Sequence, residues 1–227
     1  MKKQIRLAAM GLVALLLPIN AAFALPSSQF DKPLTEEPSG TGSVQGLEYA
    51  KTEEYKKLFS EAVDDGRKAC EKYLKDNPTA SDMCIVSDID ETVLDNREHF
   101  SNVKTFDWDR FVQWVSEAKA PSLKPTAELL DWARKKGFAI FFVTGRPEEL
   151  RSATIRNLVR NGIAYDGLYL RPQNDKRSAI EIKTAYRKEI EAMGFKVIVN
   201  IGDQVSDLVG GYAVDCEKLP NKLYFIN

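Results

Sequence analysis

The spacing of apolar residues changes character several times along the chain. Between residues 47 and 76, Leu47, Tyr55, Leu58, Phe59, Ala62, Ala69 and Tyr73 recur at mainly helical intervals. That spacing predicts a long N-terminal helix or a helix pair. The pattern then tightens. "MCIVSDI" reads as a short strand, and "FAIFFVTG" is a continuous apolar run, the mark of a strand buried on both faces. "GLYL", "KVIVNIGD" and "LYFIN" read as further strands. Between them "FDWDRFVQWVSEA", "PTAELLDWARKKG", "RPEELRSATIRNLVRNG" and "SAIEIKTAYRKEIEAMG" read as helices. Pro125 and Pro147 stand near helix starts, and Gly137 and Gly162 at helix ends. This alternation predicts an α/β fold, a mainly parallel central sheet covered by helices on both sides, with a helical N-terminal extension.

Two segments fall outside that rhythm. Residues 1–24 begin with Lys2, Lys3 and Arg6, continue in an apolar run from Leu7, and end on Ala22-Phe23-Ala24. This is the pattern of a secretory signal peptide cleaved after Ala24. The alternative, an uncleaved anchor helix, is weakened by Pro18 and Asn20 inside a run already short for a membrane span. No membrane anchor is therefore expected after cleavage, and the mature protein is expected to be periplasmic or secreted. Residues 25–46 are rich in Ser, Pro and Gly, which suggests a flexible lead. The about 200 residues that remain suit one domain, placed at 47–227 with a helical part at 47–78.

Charge removes some function classes. The formal net charge is −1, and loss of the three cations in residues 1–24 takes it to −4. A mildly acidic, mixed surface argues against a nucleic-acid polymer or an anionic membrane as main partner. Cys70, Cys84 and Cys216 make an odd count. Export permits a disulfide without demanding one, and small buried hydrophobes are an equal reading. No Cys/His spacing suggests zinc. His99 is the single histidine, expected at a solvated or rim position, so His-dependent triads are nearly excluded.

The acids need an explanation. Asp88 and Asp90 close the first predicted strand, with Glu91 beside them. A buried carboxylate is costly unless it is paired or binds metal. Parallel sheets bind ligands beyond the carboxyl ends of their strands. Two other predicted strands also end in polar residues, Thr144-Gly145-Arg146 and Asp203, with Asp207 four positions later. Gathered at one mouth, Asp88 and Asp203 can hold Mg²⁺, which prefers oxygen ligands. Lys183, on the helix before the last of these strands, can offset negative charge and neutralise a phosphate. One carboxylate can then attack phosphorus and the other can move a proton.

Asp88-Ile89-Asp90-Glu91-Thr92, Thr144, Lys183 and Gly202-Asp203-x-x-x-Asp207 resemble the four motifs of the haloacid dehalogenase-like (HAD) phosphohydrolases. The stretches "LDN", "FVQWVSEAKAPSL", "FVTGRPEELRSATIRNLVRNG", "IKTAYRKEI", "GDQVSDL" and "KLPNKLYFI" are similar to the acid phosphatase subfamily IIIB. That subfamily contains plant acid phosphatases, plant vegetative storage proteins and bacterial class C acid phosphatases. The resemblance implies a Rossmannoid three-layer sandwich with only a small cap, placed at 97–120. It implies Asp88 as nucleophile and metal ligand. Asp90 would be the general acid/base, with its backbone carbonyl on the metal. Thr144, with Gly145 and nearby backbone N–H groups, and Lys183 would bind phosphate. Asp203 would bind metal, and Asp207 would orient Lys183 or a metal-bound water. The expected activity is Mg²⁺-dependent hydrolysis of small phosphomonoesters through an aspartyl-phosphate. A storage or binding protein of the same fold and a phosphotransferase are the alternatives. Some vegetative storage proteins lack the nucleophile that this chain keeps. A homodimer is compatible with the sequence.

Several residues stay open. Lys176, Arg177, Arg187 and Lys188 compete with Lys183 for the cationic role. Arg146 can touch substrate or cap the next helix. Asp95 and Asn96 can line the pocket or hold the turn. Phe100, Phe106, Trp108, Phe111 and Trp114 can stack on a substrate ring, but Trp108, Phe111 and Val115 at helical spacing favour a core stripe.

Overall fold

The structure, a computed structural model, describes residues 44–102 and 107–225. The signal peptide, most of the predicted lead and Phe106 lie outside the described residues.

Five strands form one parallel sheet: β1 (Met83–Ser87), β2 (Ala139–Pro147), β3 (Gly167–Arg171), β4 (Lys196–Gly202) and β5 (Asp215–Lys218). Their order is β3-β2-β1-β4-β5. β1 is central and buried along its whole length, and β4 is buried at all but its first residue. Their near-continuous apolar runs follow from having helices on both faces. Alternate side chains separate the two faces. Ile85, Ile140 and Phe142 point into the larger core, and Cys84, Val86, Phe141 and Val143 into the smaller one.

The N-terminal helical region is a pair, α1 (Val44–Tyr49) and α2 (Glu53–Asp76). The Thr52 hydroxyl accepts the Tyr55 N–H at 3.1 Å and starts α2. Tyr55, Phe59, Val63, Gly66 and Cys70 form its buried stripe, while Leu58 is exposed. Helices α2 and α5 (Lys124–Lys135) cover one face of the sheet, and α7 (Ala179–Ala192) covers the other. Between β1 and α5 lie α3 (Arg97–Ser101) and α4 (Trp108–Glu117). A 3-10 turn, Glu148–Leu150, leads from β2 into α6 (Arg151–Arg160), so this helix starts later than the sequence pattern predicts. Residues 139–147 continue the strand instead. A four-residue helix, α8 (Val205–Leu208), follows β4.

The last strand is not where periodicity placed it. "LYFIN" is not strand over its described residues, and the edge is formed by the polar stretch Asp215–Lys218. An edge strand has one neighbour and needs little apolar surface, so its sequence carries a weak signal. Leu223 and Tyr224 pack against Phe100 of α3 instead. Cys70, Cys84 and Cys216 are buried and free.

Candidate active site

Strand ends build the site. Asp88 follows β1 directly, and its N–H donates to the Ile201 carbonyl of β4 at 3.0 Å. It is therefore still held in the sheet as it leaves it. The chain then turns: the Ile89 carbonyl accepts the N–H groups of Val93 and Leu94 at 3.0 and 2.9 Å. Ile89, Val93 and Leu94 are fully buried and anchor this loop from beneath. Glu91 adopts a φ of 52°, a left-handed conformation uncommon for a residue with a side chain.

β4 ends on Gly202 and Asp203. A Cβ on Gly202 would lie 2.3 Å from Asp207 Oδ2, so only glycine lets Asp207 fold back over the strand end. There Asp207 accepts the Gln204 N–H at 2.8 Å through Oδ2 and the Lys183 ammonium through Oδ1. Lys183 arrives on α7, whose start is set by a capping box between Ser178 and Glu181. Its Nζ also donates to Asp88 Oδ1 at 2.7 Å.

Among the cations the sequence offered, Lys183 is the one bonded to Asp88. Lys176, Arg177 and Lys188 are exposed. Arg187 is buried but donates to the backbone carbonyls of Asp207 and Gly211 at 2.6 and 2.9 Å, and so holds a loop.

Carboxylate oxygens of Asp88, Asp203 and Asp207 all lie within 4.8 Å of one another, and all three residues are buried. Asp203 accepts from Asn221 Nδ2 at 2.6 Å, Gln204 Nε2 at 2.5 Å and the Thr92 hydroxyl at 3.2 Å. Burial, opposed by Lys183, and then the neighbouring Asp207, Asp203 and Asp90 hold Asp88 well above the usual carboxylate range. Burial and Asp207 push Asp203 up to about 6. For Lys183, burial acts downward but is outweighed by Asp207 and Asp88, and the ammonium is held above its usual value. Of these three buried carboxylates, the Lys183 ammonium bonds two, Asp88 and Asp207, and among the described residues Asp203 is held by neutral donors. The set therefore carries excess negative charge on hard oxygen donors, which suits a divalent cation. Asp90 is outside this carboxylate set, while Asp207, expected in a supporting place, is within it.

Asp90 faces a different cation. Arg146, at the end of β2 and only 2% exposed, donates from Nη2 to Asp90 Oδ1 at 2.6 Å and from Nε to Oδ2 at 3.0 Å. Its Nη1 reaches the Thr154 hydroxyl at 3.1 Å. Of the two roles the sequence left open, neither describes this contact. Thr144 is buried and accepts the Arg146 N–H at 3.1 Å. Gly145 is exposed, with nothing within 4 Å of where a Cβ would sit.

A cavity of about 420 Å³ opens above these groups. Asp88, Asp90, Lys183 and Asp203 form its charged floor, and Gly145, Arg146 and Arg171 also reach it, but Thr144 is not among its lining residues. Its wall is aromatic: Phe100, Trp108, Phe111, Tyr224 and Phe225. Trp108 departs from the core stripe its spacing suggested, being 48% exposed on this wall. It sits in the first turn of α4. Phe111 serves both core and wall, while Trp114 and Val115 are core. His99 is a second correction. It is buried rather than at a rim, ringed by Phe100, Phe111 and Trp114 at centroid distances of 5.2, 5.6 and 6.0 Å.

Sequence reasoning gave no role to Asn221, Gln204 or Tyr224. Asn221 and Gln204 hold Asp203, and the Tyr224 hydroxyl donates to Glu91 Oε2 at 2.7 Å. The only signal was their place in stretches resembling the subfamily.

Residues 42–227 match the family model for the HAD superfamily, subfamily IIIB (acid phosphatase). The chain belongs to this family. Among family relatives, acid phosphatase 1 of Solanum lycopersicum is 36% identical over 62% of this chain and 58% of its own length. The stem 28 kDa glycoprotein of Glycine max is 32% identical over 68% of this chain and 64% of its own. Vegetative storage protein 1 of Arabidopsis thaliana is 25% identical over 62% and 54%. The chain thus spans less than two thirds of the length of each of these relatives. In fold it is similar to the class C acid phosphatase of Bacillus anthracis, whose crystal structure has tungstate bound. That likeness has a TM-score of 0.66 at 23% identity and covers 80% of this chain and 84% of that one. The parallel sheet with helices on both sides is the HAD-like α/β fold of this subfamily.

Proposed function

We propose that this chain is an exported, Mg²⁺-dependent acid phosphatase that hydrolyses small phosphomonoesters through a phosphorylated Asp88. The observation that carries the reading is the juxtaposition at the β1 end. Asp88 is bonded to Lys183 at 2.7 Å and lies within 4.8 Å of Asp203 and Asp207 as a cation-binding set. Asp90, two residues on, reaches the same cavity.

The phosphate of the substrate enters above this floor, where Lys183 offsets its charge and Gly145 and Arg146 reach the same cavity. An Asp88 carboxylate oxygen forms a bond to phosphorus as the ester oxygen departs. Asp90 delivers a proton to that oxygen, then takes one from the water that releases phosphate from Asp88. When bound by Asp88, Asp203 and the Asp90 backbone carbonyl, with Asp207 beside them, Mg²⁺ supplies positive charge that favours the ionised nucleophile and the entering phosphate. Oxygen-only donors favour Mg²⁺ over zinc. The aromatic wall suits the organic part of a small ester, and α3 and α4 act as the small cap.

Kinship to the Arabidopsis storage protein favours a second reading, a storage protein of the same fold. The complete set Asp88, Asp90, Lys183, Asp203 and Asp207 argues for catalysis instead. The test is turnover of nitrophenyl phosphate and alkyl phosphates by purified protein with Mg²⁺ and with chelator, including alcohol acceptors. Mg²⁺-dependent phosphate release is expected, with label trapped on Asp88. No turnover on any ester would favour storage, full turnover in chelator would remove the metal assignment, and transfer to alcohol in excess of hydrolysis would make it a phosphotransferase.

A further inference from the structure

The two oxygens of Asp90 are not equivalent. Oδ1 accepts from Arg146 Nη2 at 2.6 Å, Asn96 Nδ2 at 2.8 Å and Arg146 Nε at 3.1 Å. Among the described residues, Oδ2 accepts only from that Nε, at 3.0 Å. A hydrogen placed on Oδ1 would point at N–H donors that cannot accept it. Oδ2 is therefore the oxygen left to carry a proton.

Asn96 is completely buried, and each of its polar atoms is used. Its backbone N–H donates to Glu91 Oε1 at 2.8 Å, and its carbonyl accepts the Phe100 N–H at 3.2 Å. Its Nδ2 donates to Glu91 Oε2 at 3.2 Å as well as to Asp90. Its Oδ1 accepts from the indole of Trp114, on α4, at 2.8 Å. An indole N–H can only donate, so the amide atom facing it must be oxygen. That choice turns the NH₂ toward Asp90 Oδ1 and Glu91 Oε2, both of which accept from it. Trp114 thus fixes an orientation that a free amide could reverse, and reversal would set Oδ1 of Asn96 against Asp90.

We propose that Asn96 is a positioning residue for the proton-transfer group of the reaction. It anchors Oδ1 of Asp90, leaves Oδ2 as the proton carrier, and is itself held in register by Trp114. The inference rests on Asp90 acting as the acid. In the first half-reaction the Asp88–phosphorus bond forms, the ester P–O bond breaks, and the proton on Asp90 Oδ2 passes to the departing oxygen. In the second, the oxygen of water bonds to phosphorus, the Asp88–phosphorus bond breaks, and a proton of that water returns to Oδ2. The catalytic acid is thereby steered from the helix that forms the cavity wall.

The test measures kcat/KM, which reports the half-reaction that releases the alcohol, for an alkyl phosphate and for nitrophenyl phosphate, with Mg²⁺ present. A nitrophenolate leaves without help from an acid, so a fault in proton delivery harms only the alkyl ester. Asp90→Asn should lose about 10²–10⁴-fold on the alkyl ester and far less on the aryl ester. Asn96→Ala should follow the same pattern, with a loss of about 10–100-fold on the alkyl ester. Trp114→Phe, which keeps the ring and removes the N–H, should show a smaller loss with the same selectivity. If Asp90→Asn discriminates but Asn96→Ala impairs both esters equally, Asn96 is only structural and the proposal is overturned. Should Asn96→Ala fail to fold, Trp114→Phe decides by the same criterion. An Asp90→Asn variant that does not discriminate would instead remove Asp90 as the acid, a separate failure of the proposed function, and the inference would fall with it.

Discussion

The floor and the wall of the cavity are built by different rules. Every floor carboxylate sits just beyond a strand end and has at least one named partner: Asp88 with Lys183, Asp90 with Arg146, and Asp203 with Asn221 and Gln204. Strand register sets their spacing, and burial makes each mispairing costly. The wall comes from α3, α4 and the segment around Tyr224, none of which belongs to the sheet. Its members contact one another through rings, as Phe100 with Tyr224 at 5.4 Å and Trp108 with Phe111 at 6.0 Å. Ring contacts tolerate sliding, whereas charge-assisted hydrogen bonds do not. On the proposed reading, the chemistry is therefore placed where charged pairs fix the geometry, and the surface offered to the organic part of a substrate is placed where ring contacts can vary.

The largest effect should come from the floor. Asp88→Asn is expected to abolish phosphoenzyme and lower turnover on the order of 10⁴–10⁶-fold, since an amide is a poor nucleophile toward phosphorus. Acid-quench trapping with labelled substrate checks this, and label on another residue would break the assignment. Gly202→Ala should follow. Its Cβ would meet Asp207 Oδ2 at 2.3 Å and force that side chain away from Lys183. A loss on the order of 10²-fold is expected, as for other small misplacements at a reacting centre. Activity close to that of the parent protein would show that Asp207 is dispensable.

Stability against pH probes the same floor without catalysis. Asp203 is raised to about 6, by burial first and Asp207 next. Glu91 is raised to about 8, by burial and then by Asp90 and Asp203. A raised carboxyl pKa means the folded state holds a proton that the unfolded chain has released. Metal-free protein should therefore lose stability as pH rises from about 4 to 8. Added Mg²⁺ should raise Tm more at pH 8 than at pH 5, because protonation competes with the cation. Thermal melts at both pH values, with and without metal, read this out. A Tm increment that is larger at pH 5 would contradict the cation-binding set. The smallest effect belongs to the wall. Trp108→Ala should raise KM for nitrophenyl phosphate about 2–10-fold, the value of one aromatic contact, and leave kcat nearly unchanged. A fall in kcat instead would show that the wall is coupled to the floor at this point.

Much of the floor could be read from the sequence because acids at the ends of apolar runs are conspicuous. Apolar runs had to be strands in a parallel sheet, and parallel strands bring their carboxyl ends to one mouth. Lys183 was harder, since its helix is dense in charge, and only the 2.7 Å contact with Asp88 separates it from exposed Lys188 and loop-holding Arg187. Arg146 and Asn96 could be seen but not given roles. Each hydrogen-bonds a group brought near by the path of the loop after β1, and no periodicity reports such a path. The same limit explains Trp108 and His99. Helical spacing says which residues share a face, but not which of them borders a cavity or what shields a short helix. β5 was missed because an edge strand needs few apolar residues, while apolar Leu223 and Tyr224 imitate one. Local chemistry by itself determined the strands β1 to β4, the fold class and the acids. The partners of those acids, and the wall above them, were decided by tertiary packing, because hydrogen bonds such as Lys183 to Asp88 and Arg146 to Asp90, across 95 and 56 residues, depend on where the chain returns.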